Sequence, residues 1–175
     1  TSVLNKLNIC LKTKYEDAKT YMELPLQKIP LHGNTLFGTP DAVVEFPDGG
    51  LLVADAKSGK KRQSHWIQCG IYGVMLRAAA WSKNKPIPNL FGFALCYGEA
   101  ESSNSDNQDK QFLLITGENA LDEVLPEPTK ERIRNILKVS GSAEIPDANP
   151  SSNNCRFCDW KIGCPKALET SNEVT

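Results

Sequence analysis

A chain of 175 residues is long enough for one globular domain and too short for two ordinary ones. Its content of 40% hydrophobic residues is that of a folded protein and excludes a disordered tail, a collagen-like chain and a coiled coil. The formal net charge of −1 excludes a globally basic nucleic-acid clamp, although a local basic site is compatible with it.

The chain has no run of about 18 apolar residues, so we predict no membrane span and no membrane partner. The longest apolar stretch, 71–81, is interrupted by Gly73 and Arg77. No signal peptide is recognisable, and we therefore expect a cytoplasmic protein with reduced thiols. The first residue is Thr1 rather than Met, which is consistent with a piece of a longer protein.

The first third of the chain predicts a helix followed by strands. Residues 1–20 favour a helix, and the patterns over 21–31 and 36–46 each predict one strand. Pro47-Asp48-Gly49-Gly50 predicts a hairpin turn, because Asp-Gly and Gly-Gly tolerate positive φ. The continuous apolar stretch 51–54 is typical of a central, buried strand.

The remainder begins with the strongest helix signal, residues 64–82, which Ser64 is expected to cap and Pro86 and Pro88 to end. The following patterns predict a strand over 90–97, a solvated loop over 99–110, a partner strand over 111–116, helices over 118–124 and 129–139, and a polar linker over 140–154. This order predicts an α/β fold in which helices flank a mixed sheet.

Two aspartates and a lysine follow or end the predicted strands around the hairpin turn. Asp41 precedes the turn, and Asp55 and Lys57 come after it, two residues apart on one face of a strand. Neighbouring carboxylates repel one another and suit a hard cation such as Mg²⁺ or Mn²⁺ between them. Such an ion activates water and shields a phosphodiester, while the lysine orients or deprotonates the water and stabilises the phosphorus centre. An ordinary surface ion pair is the alternative.

Further residues fit the same chemistry. Lys60, Lys61 and Arg62 form a local basic patch suited to a phosphate backbone, although a solvated loop explains them equally well. Gln68 and Tyr72 lie four residues apart on the predicted helix, so their side chains share a face and can reach one ligand. A core role is the alternative for Tyr72.

The order of these motifs resembles the PD-(D/E)xK nuclease superfamily and, within it, the RecB-like nucleases. The signature is Pro40-Asp41 followed by Asp55-Ala56-Lys57, and the resemblance covers roughly residues 21–98. It implies a restriction-endonuclease-like fold in which Asp41, Asp55 and the Ala56 carbonyl bind the metal. It also implies that Lys57 is catalytic and that Gln68 and Tyr72 contact DNA or support the site.

Two departures from the pattern concern an acidic residue and a histidine. Asp55 stands where this subgroup more often has Glu, although the superfamily allows both residues. A metal-binding His on an upstream helix is usual, and His32 lies in a strand context just before Asp41 instead. The expected His is therefore lost or belongs to a missing N-terminal piece.

Six cysteines divide into three single residues and one cluster. Cys155, Cys158 and Cys164 form a C-x-x-C-x₅-C motif, whereas Cys10, Cys69 and Cys96 are isolated. An even count is compatible with disulfides, but crowded thiols in a reducing compartment indicate a metal site. Three thiolates with one further ligand would hold zinc or an iron–sulfur cluster.

The tail resembles the C-terminal cluster motif of CRISPR-associated RecB-family exonucleases and related helicase-nucleases. In those families one upstream Cys joins three downstream ones, which implies a [4Fe–4S] cluster on Cys10, Cys155, Cys158 and Cys164, with Zn²⁺ as the alternative cofactor. Cys10 is otherwise expected to be a small buried hydrophobe, as are Cys69 and Cys96.

We therefore predict a nuclease core over 1–140 and a linker with a cluster-binding tail over 141–175, packed on the core. The expected function is metal-dependent hydrolysis of DNA. The protein would act as an exonuclease on single-stranded ends in CRISPR adaptation, and its partner would be an integrase or a helicase. The alternatives are a phage or plasmid recombination or repair nuclease of the same fold, a catalytically inactive DNA-binding module, and a zinc-binding tail on an unrelated sheet domain.

Overall fold

A computed structural model of the chain describes residues 2–98 and 112–140. These residues form four helices and seven strands, in the order α1 (Val3–Lys14), β1 (Lys19–Met22), β2 (Leu26–Leu31), β3 (Asn34–Gly38), β4 (Ala42–Glu45), β5 (Leu51–Lys57), α2 (Gln63–Ser82), β6 (Leu90–Tyr97), β7 (Phe112–Thr116), α3 (Ala120–Val124) and α4 (Glu127–Ser140).

Five of the strands form a mixed sheet in the order β1-β4-β5-β6-β7. Strands β5 and β6 are parallel, and the other neighbours are antiparallel. The parallel pair requires a crossover, which the long helix α2 supplies. Strands β2 and β3 form a separate antiparallel hairpin that packs on α2. The predicted class, an α/β fold with a mixed central sheet flanked by helices, is confirmed and is consistent with a restriction-endonuclease-like fold.

The two faces of β5 bury their side chains in different cores. Leu52 and Ala54 pack with Leu7 and Leu11 of α1, whereas Val53 packs on the α2 side with Cys69. Because side chains alternate along a strand, the odd-numbered residues of β5 face α2. Asp55 and Lys57 therefore lie on the side of the sheet that faces α2. Both faces of β5 are buried, as its continuous apolar stretch predicts.

The predicted hairpin turn is confirmed. The Phe46 N–H donates to the Gly50 carbonyl at 2.9 Å, and the Phe46 carbonyl accepts from the Gly49 N–H at 2.9 Å. Gly49 adopts a φ of +83°, the left-handed conformation that makes glycine the favoured residue there. The turn joins β4 to β5 with Ala42 opposite Ala54, which fixes the register of the two strands.

The predictions of single strands over 21–31 and 36–46 are wrong, since each region contains two strands. The first is divided between β1 and β2 at Glu23, whose φ of +48° ends the extended run. The second is divided between β3 and β4 at Thr39-Pro40, where proline has no N–H to donate to a ladder. The apolar pattern over 36–46 is interrupted at 38–41, but the prediction of a single strand did not use that interruption.

The later elements follow the predictions with small changes of boundary. The strand over 90–97 is confirmed, and β7 is its antiparallel partner. The predicted helices correspond to α1, α2, α3 and α4. Ser64 does not cap α2, because the N-cap is Arg62, which makes no side-chain capping bond. The predicted loop over 99–110 and linker over 140–154 fall outside the described residues, apart from Ser140 at the end of α4.

Within the described part of the chain, no helix is both long and apolar enough to cross a membrane.

Candidate active site

The site begins where β4 and β5 bring two carboxylates together. The register pairs Ala42 with Ala54, and its continuation by one residue sets Asp41 opposite Asp55. The Ala56 backbone N–H donates to Asp41 Oδ2 at 2.7 Å, which fixes this carboxylate against β5. The approach of the two aspartates that the hairpin predicts is thus present in the structure.

Asp55 is the only buried charged or polar residue among the described residues, with an exposed fraction of 2%. Burial raises the pKa of its carboxyl group to about 6, and the neighbouring charge of Asp41 raises it further, while the hydrogen bond from Lys57 acts in the opposite direction. Its Oδ2 atom makes an ion pair with Lys57. Since the pKa stays raised despite this partner, the buried carboxylate is under-compensated, and a further cation between the two aspartates would complete the compensation.

Lys57 connects the carboxylates to α2. Its Nζ donates to Gln68 Oε1 at 2.8 Å, and Gln68 Nε2 donates in turn to the Tyr72 hydroxyl at 3.0 Å. Burial lowers the pKa of Lys57, but the hydrogen bond to Asp55 and the charges of Asp55 and Asp41 more than offset this and raise it above its usual value. Lys57 is thus an ammonium group held in a fixed direction.

Gly38 makes room for this arrangement at the end of β3. A Cβ atom at this position would lie 2.8 Å from Tyr72 Cε1, closer than a real contact allows. The absence of a side chain at residue 38 therefore lets the hairpin pack directly against the ring of Tyr72.

The donor set fits a small divalent cation. No group of three or more His, Cys, Asp or Glu side chains suited to a metal occurs among the residues described. Mg²⁺ typically needs only one or two carboxylates because it keeps several waters and takes further oxygens from the substrate phosphate. Asp41 and Asp55, with an under-compensated Oδ2 atom on the latter, meet that requirement. The Ala56 carbonyl as a further ligand stays a prediction.

The basic residues predicted to bind DNA lie in the loop between β5 and α2. Lys60, Lys61 and Arg62 are exposed and follow Gly59, which has a φ of +121°. Lys61 Nζ lies 5.8 Å from the centre of the Tyr97 ring, within the range of a cation–π contact. This loop starts directly after Lys57, so its positive charge borders the candidate site.

Two neighbouring residues, His65 and Tyr97, were missed by the sequence analysis. His65 Nδ1 and the Tyr97 hydroxyl are hydrogen-bonded at 2.9 Å. His65 precedes Gln68 by three residues and Tyr72 by seven, a helical spacing that offered a signal. Tyr97 stands beside Lys57 only through the parallel β5–β6 register, which the sequence does not display.

The cysteines and His32 complete the account of the predicted residues. Cys69 and Cys96 are buried and free, as predicted, whereas Cys10 is exposed on α1 and is not a buried hydrophobe. The cluster of Cys155, Cys158 and Cys164 lies outside the described residues. His32 is an exposed residue in the turn between β2 and β3, with a φ of +48°.

Comparison with known proteins agrees with this geometry. A search of curated proteins found no significant match. One solved structure, described as "Crystal structure of SSO0001", matches at 14% identity with a TM-score of 0.40, covering 95% of this chain and 69% of that one. The family model of the PD-(D/E)XK nuclease superfamily matches residues 5–165, which is most of the chain. The chain therefore belongs to the PD-(D/E)XK nuclease superfamily, a membership that implies a metal-dependent nuclease.

Proposed function

We propose that the protein is a metal-dependent deoxyribonuclease that hydrolyses phosphodiesters as an exonuclease on single-stranded DNA ends. The observation that carries the proposal is the continuous set of contacts from Asp41 through Asp55 and Lys57 to Gln68 and Tyr72. In a superfamily of nucleases, this set supplies two hard anionic ligands, one fixed cation and two polar groups on a single rim.

In the proposed mechanism Asp41 and Asp55 hold the divalent ion, Mg²⁺ or Mn²⁺. When bound, the ion supplies Lewis-acid activation of the phosphodiester and of water. A bound ion would also compensate the buried charge of Asp55, whose pKa stays raised although Lys57 pairs with it.

Lys57 acts as a cation rather than as a base, because its Nζ atom pairs with Asp55 and donates to Gln68 Oε1, contacts that suit an ammonium group. Its ammonium group stabilises the negative charge that accumulates on the phosphate oxygens in the transition state. Gln68 Oε1 accepts a hydrogen bond from this ammonium group and so orients it. Since Gln68 also donates to the Tyr72 oxygen, the hydroxyl hydrogen of Tyr72 is available to a DNA phosphate.

An exposed aromatic residue supports a single-stranded substrate. Phe37 is 66% exposed although phenylalanine is usually buried, and its ring lies on the outer face of the β2–β3 hairpin, opposite to the face on which Gly38 meets Tyr72. Exposed rings stack on unpaired bases, with a contribution of roughly 1–3 kcal/mol per base. The basic loop residues Lys60, Lys61 and Arg62 would follow the backbone of the same strand.

A panel of substrates tests this proposal. With Mn²⁺, we expect the protein to degrade a linear single-stranded oligonucleotide and to leave a closed single-stranded circle of the same sequence intact, and EDTA should abolish the reaction. Cleavage of the circle would show an endonuclease, and degradation confined to duplex DNA would contradict the single-strand preference. Phe37→Ala should weaken binding of single strands more than Phe37→Trp does.

We further propose that Cys10, Cys155, Cys158 and Cys164 hold a [4Fe–4S] cluster, and that the protein acts in CRISPR adaptation beside an integrase. The exposure of Cys10 on α1, which leaves its thiol accessible, supports its inclusion. Visible absorption and metal analysis of an anaerobic preparation test the cluster, since zinc would give no brown chromophore. Cys10→Ala should remove the chromophore, and its full retention would exclude Cys10. Co-purification with an integrase would support the pathway.

A further inference from the structure

The residues His65 and Tyr97 form a hydrogen-bonded pair at the border of the candidate active site. His65 lies in the first turn of α2, and Tyr97 is the partner of Lys57 in the parallel register of β5 and β6. His65, Gln68 and Tyr72 follow one another at spacings of three and four residues, so their side chains lie along one stripe of the helix. The pair therefore extends the polar rim by one helical turn beyond Gln68.

One arrangement of hydrogens satisfies both contacts of the Tyr97 hydroxyl group. The Tyr97 oxygen accepts a hydrogen bond from the Arg62 backbone N–H. Its own hydrogen is then free to be donated to His65 Nδ1, which lies 2.9 Å away. In that arrangement the neutral ring carries its proton on Nε2, which becomes a donor.

The Nε2 atom of His65 is the ring nitrogen that Tyr97 does not engage, because the Tyr97 hydroxyl lies against Nδ1. His65 is half-buried, and the buried side-chain polar atoms without a partner in the described part of the chain belong instead to Asn8, Thr20 and Asp55. Nε2 is therefore the ring atom left to meet a ligand.

The charges around this donor select the ligand. Lys57 and Arg62 lie close enough to act on His65 electrostatically, and Lys61 lies over the Tyr97 ring. Burial is the largest cause that lowers the pKa of His65, and the positive charges of Lys57 and Arg62 lower it further. The ring is therefore neutral at physiological pH. A neutral N–H donor among fixed cations suits an anionic oxygen ligand.

We propose that His65 is a substrate-positioning residue, whose Nε2–H, oriented by the Tyr97 hydroxyl, donates to a phosphate of the bound DNA strand next to the phosphate that is cleaved. The inference rests on the proposed nuclease function for the identity of the anion. It requires neither hydrolysis nor a proton transfer by His65, so it predicts an effect on DNA affinity and KM rather than on kcat.

Two substitutions separate this role from a purely structural one. The amide nitrogen of His65→Gln lies near the position of Nε2, whereas the amide oxygen of His65→Asn lies near that of Nδ1. If His65 binds phosphate, Gln retains most of the affinity and Asn does not. If His65 serves only to attach α2 to β6 through Tyr97, Asn is the better replacement and neither change affects DNA directly.

The experiment measures fluorescence anisotropy of a 5′-labelled twelve-residue oligothymidylate with the full chain in EDTA, which prevents cleavage and leaves Lys57 in place. We expect His65→Ala and His65→Asn to weaken binding about tenfold, as the loss of a hydrogen bond to a charged acceptor would. His65→Gln should weaken it about threefold or less. His32→Asn is the matched control, because His32 is the other of the two histidines and asparagine tolerates its positive φ.

Equal affinity of the His65 variants and the control would overturn the proposal, as would better binding by His65→Asn than by His65→Gln. This readout does not depend on cleavage. A wild-type protein that fails to cut DNA would refute the proposed function, whereas unchanged affinity in the His65 variants would refute only the role of His65.

A second measurement uses the wild-type protein and does not depend on the folding of a variant. Nitrogen-15 NMR of the two imidazole rings reports which nitrogen is protonated, and His32→Asn assigns the signals. We expect an Nε2–H tautomer for His65 and a shift of that signal on addition of the oligothymidylate. Tyr97→Phe should yield a mixture of tautomers. An Nδ1–H tautomer in the wild type would contradict the proposal.

Discussion

Asp55 is buried at a cost to the fold when Lys57 is the only cation that accompanies it. Its exposed fraction is 2%, and burial together with the charge of Asp41 raises its pKa to about 6 from an ordinary value of 3.8. A raised pKa means that the folded protein prefers the neutral acid, and the ionised form therefore destabilises the metal-free fold. We infer that the fold gives up stability at this residue to keep an anionic ligand in place.

The metal-free protein should accordingly gain stability when Asp55 is neutralised. The contribution of Asp55 to stability is fully present below pH 3.8 and is lost as the pH rises through about 6. Asp55→Asn should therefore raise the free energy of unfolding at pH 7 by about 1–3 kcal/mol, and this gain should vanish toward pH 4. Urea unfolding of both proteins in EDTA measures it. A variant less stable than the wild type at pH 7 would contradict the account.

Gly38 controls the position of Tyr72. The Cβ of Gly38→Ala would meet Tyr72 Cε1 at 2.8 Å and displace the ring from its hydrogen bond with Gln68. Because small displacements of positioning groups are costly, cleavage should slow by roughly ten- to a hundredfold. A double-mutant cycle provides the control, since Gly38→Ala should have little further effect in a Tyr72→Ala background. Additive losses would show that Gly38 acts elsewhere.

At this scale the sequence predicted most of the site, because its signals are local. Asp55 and Lys57 are separated by two residues on a strand, and Gln68 and Tyr72 by four on a helix, so residue spacing alone places each pair on one face. His65 and Tyr97 were missed, because their contact depends on the parallel pairing of β5 with β6 across the length of α2. The raised pKa of Asp55 is likewise a property of packing and not of sequence spacing.

Helix α2 carries the polar rim on one side of the molecule and packs closely on α3 through a glycine. A Cβ atom on Gly70 would lie 2.5 Å from Leu125 Cγ and 2.9 Å from Val124 Cγ2, both in the core. Alanine favours a helix by about 1 kcal/mol relative to glycine, so propensity and packing oppose one another at this residue.

We expect packing to prevail in Gly70→Ala. The fully buried Leu125 has little room to move, and overpacking of a tight core typically costs about 1–3 kcal/mol. The free energy of unfolding, measured with urea, should fall by that amount, and Leu125→Ala in the same chain should remove most of the additional loss. A net stabilisation by Gly70→Ala would show that α2 and α3 are less closely packed than the structure indicates.

The elements show where apolar periodicity is sufficient and where it is not. The strand over 90–97 was predicted with its observed ends, since both faces of β6 are buried and its apolar run ends at Gly98. The four strands β1 to β4 were predicted as two, because the positive φ of Glu23 is a backbone event that apolar periodicity does not show, and the break at Thr39-Pro40 was not used. That error hid the separate β2–β3 hairpin, on which the position of Gly38 against Tyr72 depends.

For the whole molecule, metal binding should be visible as stability. An ion that binds only the folded state stabilises it by about 2.7 kcal/mol at a hundredfold excess over the dissociation constant. Mn²⁺ should therefore raise the Tm of the wild type and should raise that of Asp41→Asn much less, because one anionic ligand is lost. Differential scanning fluorimetry measures both Tm shifts. Equal shifts in the two proteins would show that Asp41 is not a metal ligand.

The overall architecture was predicted in class but not in its pairings. The alternation of strands and helices indicated a mixed sheet, whereas the strand order β1-β4-β5-β6-β7 arises from contacts between residues distant in the chain. The family match over residues 5–165 implies a metal-dependent nuclease, and the neighbouring carboxylates of Asp41 and Asp55 suit such chemistry.

The most direct test of that chemistry is the rate of Mn²⁺-dependent cleavage of a linear single-stranded oligonucleotide by Lys57→Ala. Lys85→Ala, which removes an exposed lysine from the loop after α2, is the matched control. We predict that Lys57→Ala cleaves at least about a hundredfold more slowly than the wild type, because it removes the cation that faces the phosphate, and that Lys85→Ala retains the wild-type rate. Wild-type cleavage by a folded Lys57→Ala protein would contradict the assignment of the active site.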